Sequence, residues 1–303
     1  MRFCIALVSA LVFLNVAAFS QSVPVPSPTP TPNSRNSSVN PITSDNSGYD
    51  RLRSIELMND RARVGSHPLL DSKKGIYRRP GKSETEVLAV AEPLRAKYAA
   101  YLKQPDTGIV KLNAESSCVS EADVVNASEK CLAFKMPGAG AAYSFRTESY
   151  RLPRLADIIL IDGVFKTGGV LQQVVIAEIG DVEIENVTLT SPGIKFLADL
   201  EPVRDGQEFM KMEEKLRVGI EADGFSYRRG QFVKDNATYV LRSIAYRGEF
   251  LRTIEGMEYN ELDYDKRRDV IVAFRVVDRD PSGNVTIIWK SLKDVEAPKL
   301  KTK

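Results

Sequence analysis

Three acidic side chains, Asp181, Glu183 and Glu185, alternate with Val182 and Ile184. On a strand this alternation puts the acids on one face, about 7 Å apart in steps of two residues. That spacing overlaps the carboxylate separations with which glycoside hydrolases cut a sugar linkage. An antiparallel strand with one dry and one wet face yields the same pattern without chemistry. Val187 and Leu189 share the parity of the acids, which calls for a bulge near Asn186 or for cover on both faces. The three carboxylates are therefore the catalytic candidates of a glycosidase-like hydrolase acting on an envelope or extracellular polymer, with an ordinary half-buried strand as the simpler reading.

A second constellation interleaves arginines with aromatic rings between Phe225 and Arg252, centred on Tyr227, Arg229, Tyr239 and Arg242. Stacking rings beside guanidinium groups suit an anionic glycan or a single-stranded nucleic acid, and cross-strand pairs on a plain sheet give the same pattern. These four are the binding candidates. Asp278, Asp280 and Asn284 surround one turn, and Asp263 with Asp265 lie in a polar segment. No twelve-residue loop with a closing bidentate Glu accompanies them, so they read as turn residues and no metal site is assigned.

Several chemistries are excluded by what the chain lacks. His67 is the only histidine, so a Ser-His-Asp triad or a histidine-rich metal centre would have to be built around that one residue. There is no GxSxG elbow, no HExxH pair and no phosphate-binding loop. Gly138 and Gly140 lack the third glycine of a dinucleotide fingerprint and lead into a strand. No cofactor is implied.

The elements that must position these residues are mostly extended. Residues 154–202 read as a β-meander, broken at Asp162-Gly163, Thr167-Gly169, Gly180-Asp181 and Pro192-Gly193. Further strands are expected over 109–112, 143–151, 217–221, 224–228, 237–246 and 269–278. The last returns over 285–292 across a turn carrying Pro281 and Gly283. Residues 205–216 form a helix, and 255–268 are polar enough for helix or loop. Ahead of the β region, 48–64 spell an amphipathic helix. Ser83 to Glu86 begin another, which Pro93 kinks or splits.

The address is legible at the start. Arg2, an apolar stretch to Phe19, and small residues at Ala18 and Ser20 have the plan of a secretory signal peptide over 1–20. Residues 21–47, with VPVPSPTPTPNS, are a disordered Pro/Ser/Thr-rich tether. Cys4 leaves with the signal, and Cys118 with Cys131 then make an even pair for one disulfide in an oxidising compartment. Over 51–82 nine basic residues face three acidic ones, a local net charge of about +6, although the whole chain carries only +2. Five Asn-x-Ser/Thr sequons occur, at Asn36, Asn126, Asn186, Asn236 and Asn284.

The expectation is a mainly β, α+β chain: an antiparallel, sandwich-like β domain over 106–292, preceded by a helical basic segment over 48–105 and followed by a tail over 293–303. The expected function is that of a secreted or periplasmic, non-catalytic binding or structural component of the cell envelope. Its expected partner is an anionic envelope polymer or a membrane surface, and no nucleic acid.

Overall fold

A computed structural model of the chain describes residues 77–301 except 116, 119–130, 132 and 255–256. The expected signal peptide, tether and helix over 48–64, together with His67, Asn36, Asn126 and the basic segment as far as Ile76, lie outside the described residues. Strands dominate: β1 (Thr107–Leu112), β2 (Ala142–Ser144), β3 (Ser149–Tyr150), β4 (Ile158–Ile161), β5 (Val164–Lys166), β6 (Gln172–Gly180), β7 (Ile220–Ala222), β8 (Phe225–Tyr227), β9 (Gly230–Phe232), β10 (Thr238–Ala245), β11 (Leu251–Ile254), β12 (Met257–Asn260), β13 (Arg268–Arg279) and β14 (Val285–Glu296). The α-helices are α1 (Lys82–Thr85), α2 (Glu92–Lys97), α3 (Lys195–Asp199) and α4 (Gly206–Val218).

A central sheet runs in the order β1-β14-β13-β10-β6 and a smaller one in the order β3-β2-β4-β5-β9. Every neighbouring pair in both is antiparallel, and β7-β8 and β11-β12 form two separate ribbons. The fold is mainly β and antiparallel, as the sequence pattern requires. The two sheets meet through aromatic contacts. Phe165 of the smaller sheet packs edge-on against Tyr239 and Phe274 of the central sheet, with centroids 5.3 and 5.1 Å away.

The middle of the central sheet is dry on both faces. Val174, Ile176, Leu241, Val272 and Ile287 point with Phe274 towards Ile158, Leu160 and Phe165 of the smaller sheet. The alternate residues Val175, Ala177, Val240, Ile271 and Ala273 pack against Ile184, Val187, Ile194, Leu197 and Leu216. All eight positions of β10 are consequently buried. This explains why its apolar residues do not simply alternate with polar ones, the adjacent Val240 and Leu241 serving opposite faces. Each fully buried Val, Leu, Ile or Phe contributes about 1.5–3 kcal/mol.

Local signals account for most boundaries. Asp162 and Gly163 both take positive φ, 52° and 72°, and make the two-residue turn joining β4 to β5. Asp205 caps α4, its carboxylate accepting from the amides of Gln207 and Glu208 at 2.9 Å each. Asp280 closes the β13–β14 turn by accepting from the amides of Ser282 and Asn284, both at 3.0 Å, and it pairs with Lys111 at 2.7 Å. Burial works against its charge, yet Lys111 and Asn284 hold the carboxyl below its ordinary range. Asp280 is thus engaged by the turn itself.

Several elements differ from the sequence pattern, among them Met257–Asn260, a strand where helix or loop is expected. The expected strand over 143–151 is a hairpin, with β2 and β3 separated by a turn in which Glu148 has φ 52°. Pro93 stands in the first turn of α2, so the expected long helix becomes α1, a 3-10 turn at Glu86–Leu88, and α2. After Gly180 no return strand follows. The chain makes a 3-10 turn at Ile184–Asn186, and because i and i+3 eclipse on such a turn, Ile184 and Val187 both reach the interior. The parity conflict between Ile184 and Val187 is resolved by this change of period.

Residues beyond the expected domain also join it. Tyr101 is buried, its hydroxyl donating to the Trp289 carbonyl at 2.8 Å. Tyr77 stacks on Tyr264 with centroids 4.6 Å apart and donates to Glu261 at 2.7 Å. At the other end Leu300 is buried beside Tyr246, and the backbone of Lys301 donates to the Arg204 carbonyl at 2.8 Å. Cys118 and Cys131 are bonded, with Cα atoms 5.4 Å apart across a separation of 13 residues. By the chain-entropy model a loop of this length is worth about 3 kcal/mol.

Gly108 lies directly opposite Trp289 in the β1–β14 ladder, and a Cβ there would sit 2.5 Å from atoms of the indole ring. Gly108→Ala is therefore expected to destabilise the domain by about 1–3 kcal/mol through overpacking, read as a lower urea midpoint. An unchanged midpoint would show that the indole is free to move aside.

Candidate functional site

The acidic candidates do not share a strand face. Asp181 and Glu183 precede the 3-10 turn, their side chains 75% and 67% exposed, and both serve as counter-ions of Arg275 at 2.6 and 3.4 Å. The Arg275 guanidinium is itself anchored by the carbonyl of Val182 at 3.1 Å. Glu185 is exposed, and the neighbouring backbone is held by Lys290, which donates to its carbonyl at 3.3 Å. All three acids are exposed, whereas a general acid of this kind sits in a desolvating pocket.

The Arg and aromatic candidates are interior. Tyr227 is buried and its hydroxyl donates to the Gly193 carbonyl at 2.8 Å. Tyr239 stacks on Phe274 with centroids 5.2 Å apart and donates to the Phe232 carbonyl at 2.7 Å. Burial pushes both phenols up to about 12, so they stay neutral and act as hydrogen-bond donors. Arg242 is buried, makes a bidentate pair with Asp269 at 2.9 and 2.7 Å, and donates to the carbonyls of Leu197 and Leu200 at the end of α3. Arg229 is half-buried and paired with Glu213. Their spacing reported a covered sheet, with arginines tying the covering segment down.

A second buried network lies between the sheets. Asp157 accepts from Arg146 at 2.8 Å, Gln172 at 2.8 Å and Ser243 at 2.7 Å, and Ser144 donates to its other oxygen at 3.0 Å. Arg146 also donates to Asp265 and to the Lys266 carbonyl, both at 2.6 Å. The coulombic pull of Asp157 and Asp265 overcomes desolvation and holds the Arg146 guanidinium above its ordinary range. These charges are covered and mutually neutralised, and their geometry is that of a core crosslink. Among the described residues no three His, Cys, Asp or Glu side chains converge as metal ligands would.

A groove of about 550 Å³ lies where β1 and β3, each an edge strand of its own sheet, approach residues 79–95. Leu88, Val90, Val110, Tyr143 and Tyr150 give it an apolar lining and are buried. Its rim carries Arg79, Lys82 and Arg95 against Glu86 and Glu148. All five charged side chains are exposed, and among the described residues none of the three cations has a carboxylate within 4 Å.

Local structure sets the rim. Glu84 accepts from the Gly81 amide at 2.8 Å and from Arg78 at 2.5 Å, closing the turn that presents Arg79 and Lys82. The Arg78 hydrogen bond, with help from the Gly81 amide, holds the Glu84 carboxyl below its ordinary range against the effect of burial. Tyr77 fixes the near end of this segment, since its carbonyl accepts from Arg151. Arg79 and Lys82 already belonged to a basic stretch in the sequence. The signal for Arg95 and Tyr150 was absent, because the groove joins three segments far apart in the chain.

Asp157→Ala strips a buried guanidinium of one partner and is expected to cost about 3–5 kcal/mol. Asp181→Ala removes an exposed carboxylate from a buried Arg275 that keeps Glu183 and the Val182 carbonyl as partners, and should cost less, about 1 kcal/mol or below. Parallel denaturation curves test this, and equal shifts would contradict the contrast drawn between the two carboxylates. No protein-family model, characterised protein or solved structure gives a significant match to the chain.

Proposed function

We propose that this protein is an extracytoplasmic, non-catalytic β-sandwich module that binds an anionic partner of the cell envelope through the groove between residues 79–95 and the edges of the two sheets. The observation that carries this reading is the rim: three cations without carboxylate partners among the described residues, over an apolar floor. Exposed charges left unneutralised beside a concave apolar surface favour a ligand of opposite sign, and the floor gives it something to bury. The signal-like leader and the Cys118–Cys131 bridge support an oxidising compartment. No helix among the described residues is long and apolar enough to cross a membrane. The hydrolase alternative draws no support from Asp181, Glu183 and Glu185, which are exposed, with the first two tied to Arg275.

The partner is an anionic envelope polymer or a membrane surface that meets Arg79, Lys82 and Arg95 together. Basic side chains near an anionic surface are worth about 1 kcal/mol each, and exposed charges are screened over about 8 Å at physiological salt. Co-sedimentation with envelope fragments should accordingly fall at least tenfold when Arg79, Lys82 and Arg95 are all changed to Gln. It should also weaken steeply as salt is raised. Binding that survives both changes would place the contact elsewhere on the molecule.

A further inference from the structure

The groove has a feature that a simple anion site does not need: one wall is an open strand edge. In the β1–β14 ladder Asp106 accepts from the Ser291 amide at 2.8 Å, and Asp106 precedes the Thr107–Lys290 pair in register. In an antiparallel ladder, residues whose N–H and C=O face the partner alternate with residues whose groups face away. Gly108, Val110 and Leu112 therefore bond to β14, and Ile109 and Lys111 face outwards. Two independent contacts agree. The Tyr150 hydroxyl donates to the outward Lys111 carbonyl at 2.6 Å, and the Asn113 amide, of the same parity, donates to the Gly140 carbonyl at 3.0 Å.

Beyond those two contacts the edge is unfilled. Among the described residues no bond meets the amide or carbonyl of Ile109 on its outer side, nor the amide of Lys111. Ile109 and Val110 both line the groove. The opposite edge of the same sheet is closed, because Ile176 of β6 exchanges two backbone hydrogen bonds with Arg228, both at 2.9 Å. An unpaired run of donors and acceptors in a groove is a template for one more strand.

Resting on the reading that the groove takes an anionic partner, we infer that the contact segment is an extended acidic polypeptide that adds as a strand to the outer edge of β1. Its backbone meets the amide and carbonyl of Ile109 and the amide of Lys111, whose carbonyl Tyr150 already occupies. Its alternate side chains divide between the apolar floor at Leu88, Val90 and Tyr150 and the cationic rim at Arg79, Lys82 and Arg95. Charge complementarity selects an acidic segment over a neutral one, and the open edge selects a polypeptide over a glycan or lipid headgroup, neither of which has a strand to offer.

The test uses the full chain and four probes: a ten-residue peptide alternating Glu and Val, two isomers of it N-methylated at every Glu or at every Val, and inorganic polyphosphate. Affinity and hydrogen exchange at the Ile109 and Lys111 amides are read for each. The expected result is that the unmethylated peptide slows exchange at both amides at least tenfold. One methylated isomer should bind at least tenfold more weakly, while the other, whose methyls point away from β1, should bind nearly as well. Polyphosphate should slow neither amide. Equal binding by both isomers, or a bound peptide that leaves Ile109 and Lys111 unprotected, would overturn strand addition while anion binding stands. Failure of all four probes, together with no binding to envelope fragments, would overturn the anion-binding reading itself.

Discussion

The middle strands of the central sheet have no wet face, and most of the architecture follows from that constraint. A strand buried on both sides must satisfy every backbone donor and acceptor within the sheet. β10 does so between β6 and β13, and β13 does so between β10 and β14. The polypeptide must then supply two covering layers. One is the smaller sheet, whose Ile158, Leu160 and Phe165 meet the inner core. The other is assembled from the 3-10 turn at Ile184–Asn186, α3 and α4, which bring Ile184, Val187, Leu197 and Leu216 down onto the far side.

Covering both faces forces any charge on the central strands into the interior, where it survives only if paired. Arg242 meets Asp269 and caps the end of α3, so the covering segment is tied to the sheet by directional bonds as well as by apolar contact. Ser243, one residue along, faces the opposite layer and reaches Asp157, which gathers Arg146 and Gln172. Consecutive positions of one strand thus serve as polar fastenings for the two different layers. With the faces covered and the β6 edge closed by Arg228, the outer side of β1 is left as the edge that meets the groove.

Much of the fold was legible because its signals are local. Asp162-Gly163, Asp205 and the Asp280 turn each act through bonds to nearby backbone, and the β13–β14 hairpin follows from two apolar runs around such a turn. Residues 181–189 were misleading because a 3-10 turn and an alternating strand share the first few positions of their apolar pattern. The change in period at Val187 was visible, and its cause was the need to cover a sheet that local sequence does not reveal. Tyr227, Tyr239 and Arg242 resembled a binding face for a related reason: residue type records that a group makes polar contacts, and not whether the partner is solvent, a ligand or the chain itself. The groove was the least legible feature, since Arg79, Arg95, Ile109 and Tyr150 become neighbours only after the sheets have formed.

The most direct measurement is native-state hydrogen exchange on the free protein, comparing the interior of the central sheet with its outer edge. Amides of Val240 and Leu241 in β10, laddered on both sides, should exchange only through global unfolding. The Ile109 amide, on the side of β1 away from β14, should exchange orders of magnitude faster. A β10 that opens locally, or an Ile109 amide as protected as that of Val240, would contradict a doubly covered sheet with one open edge.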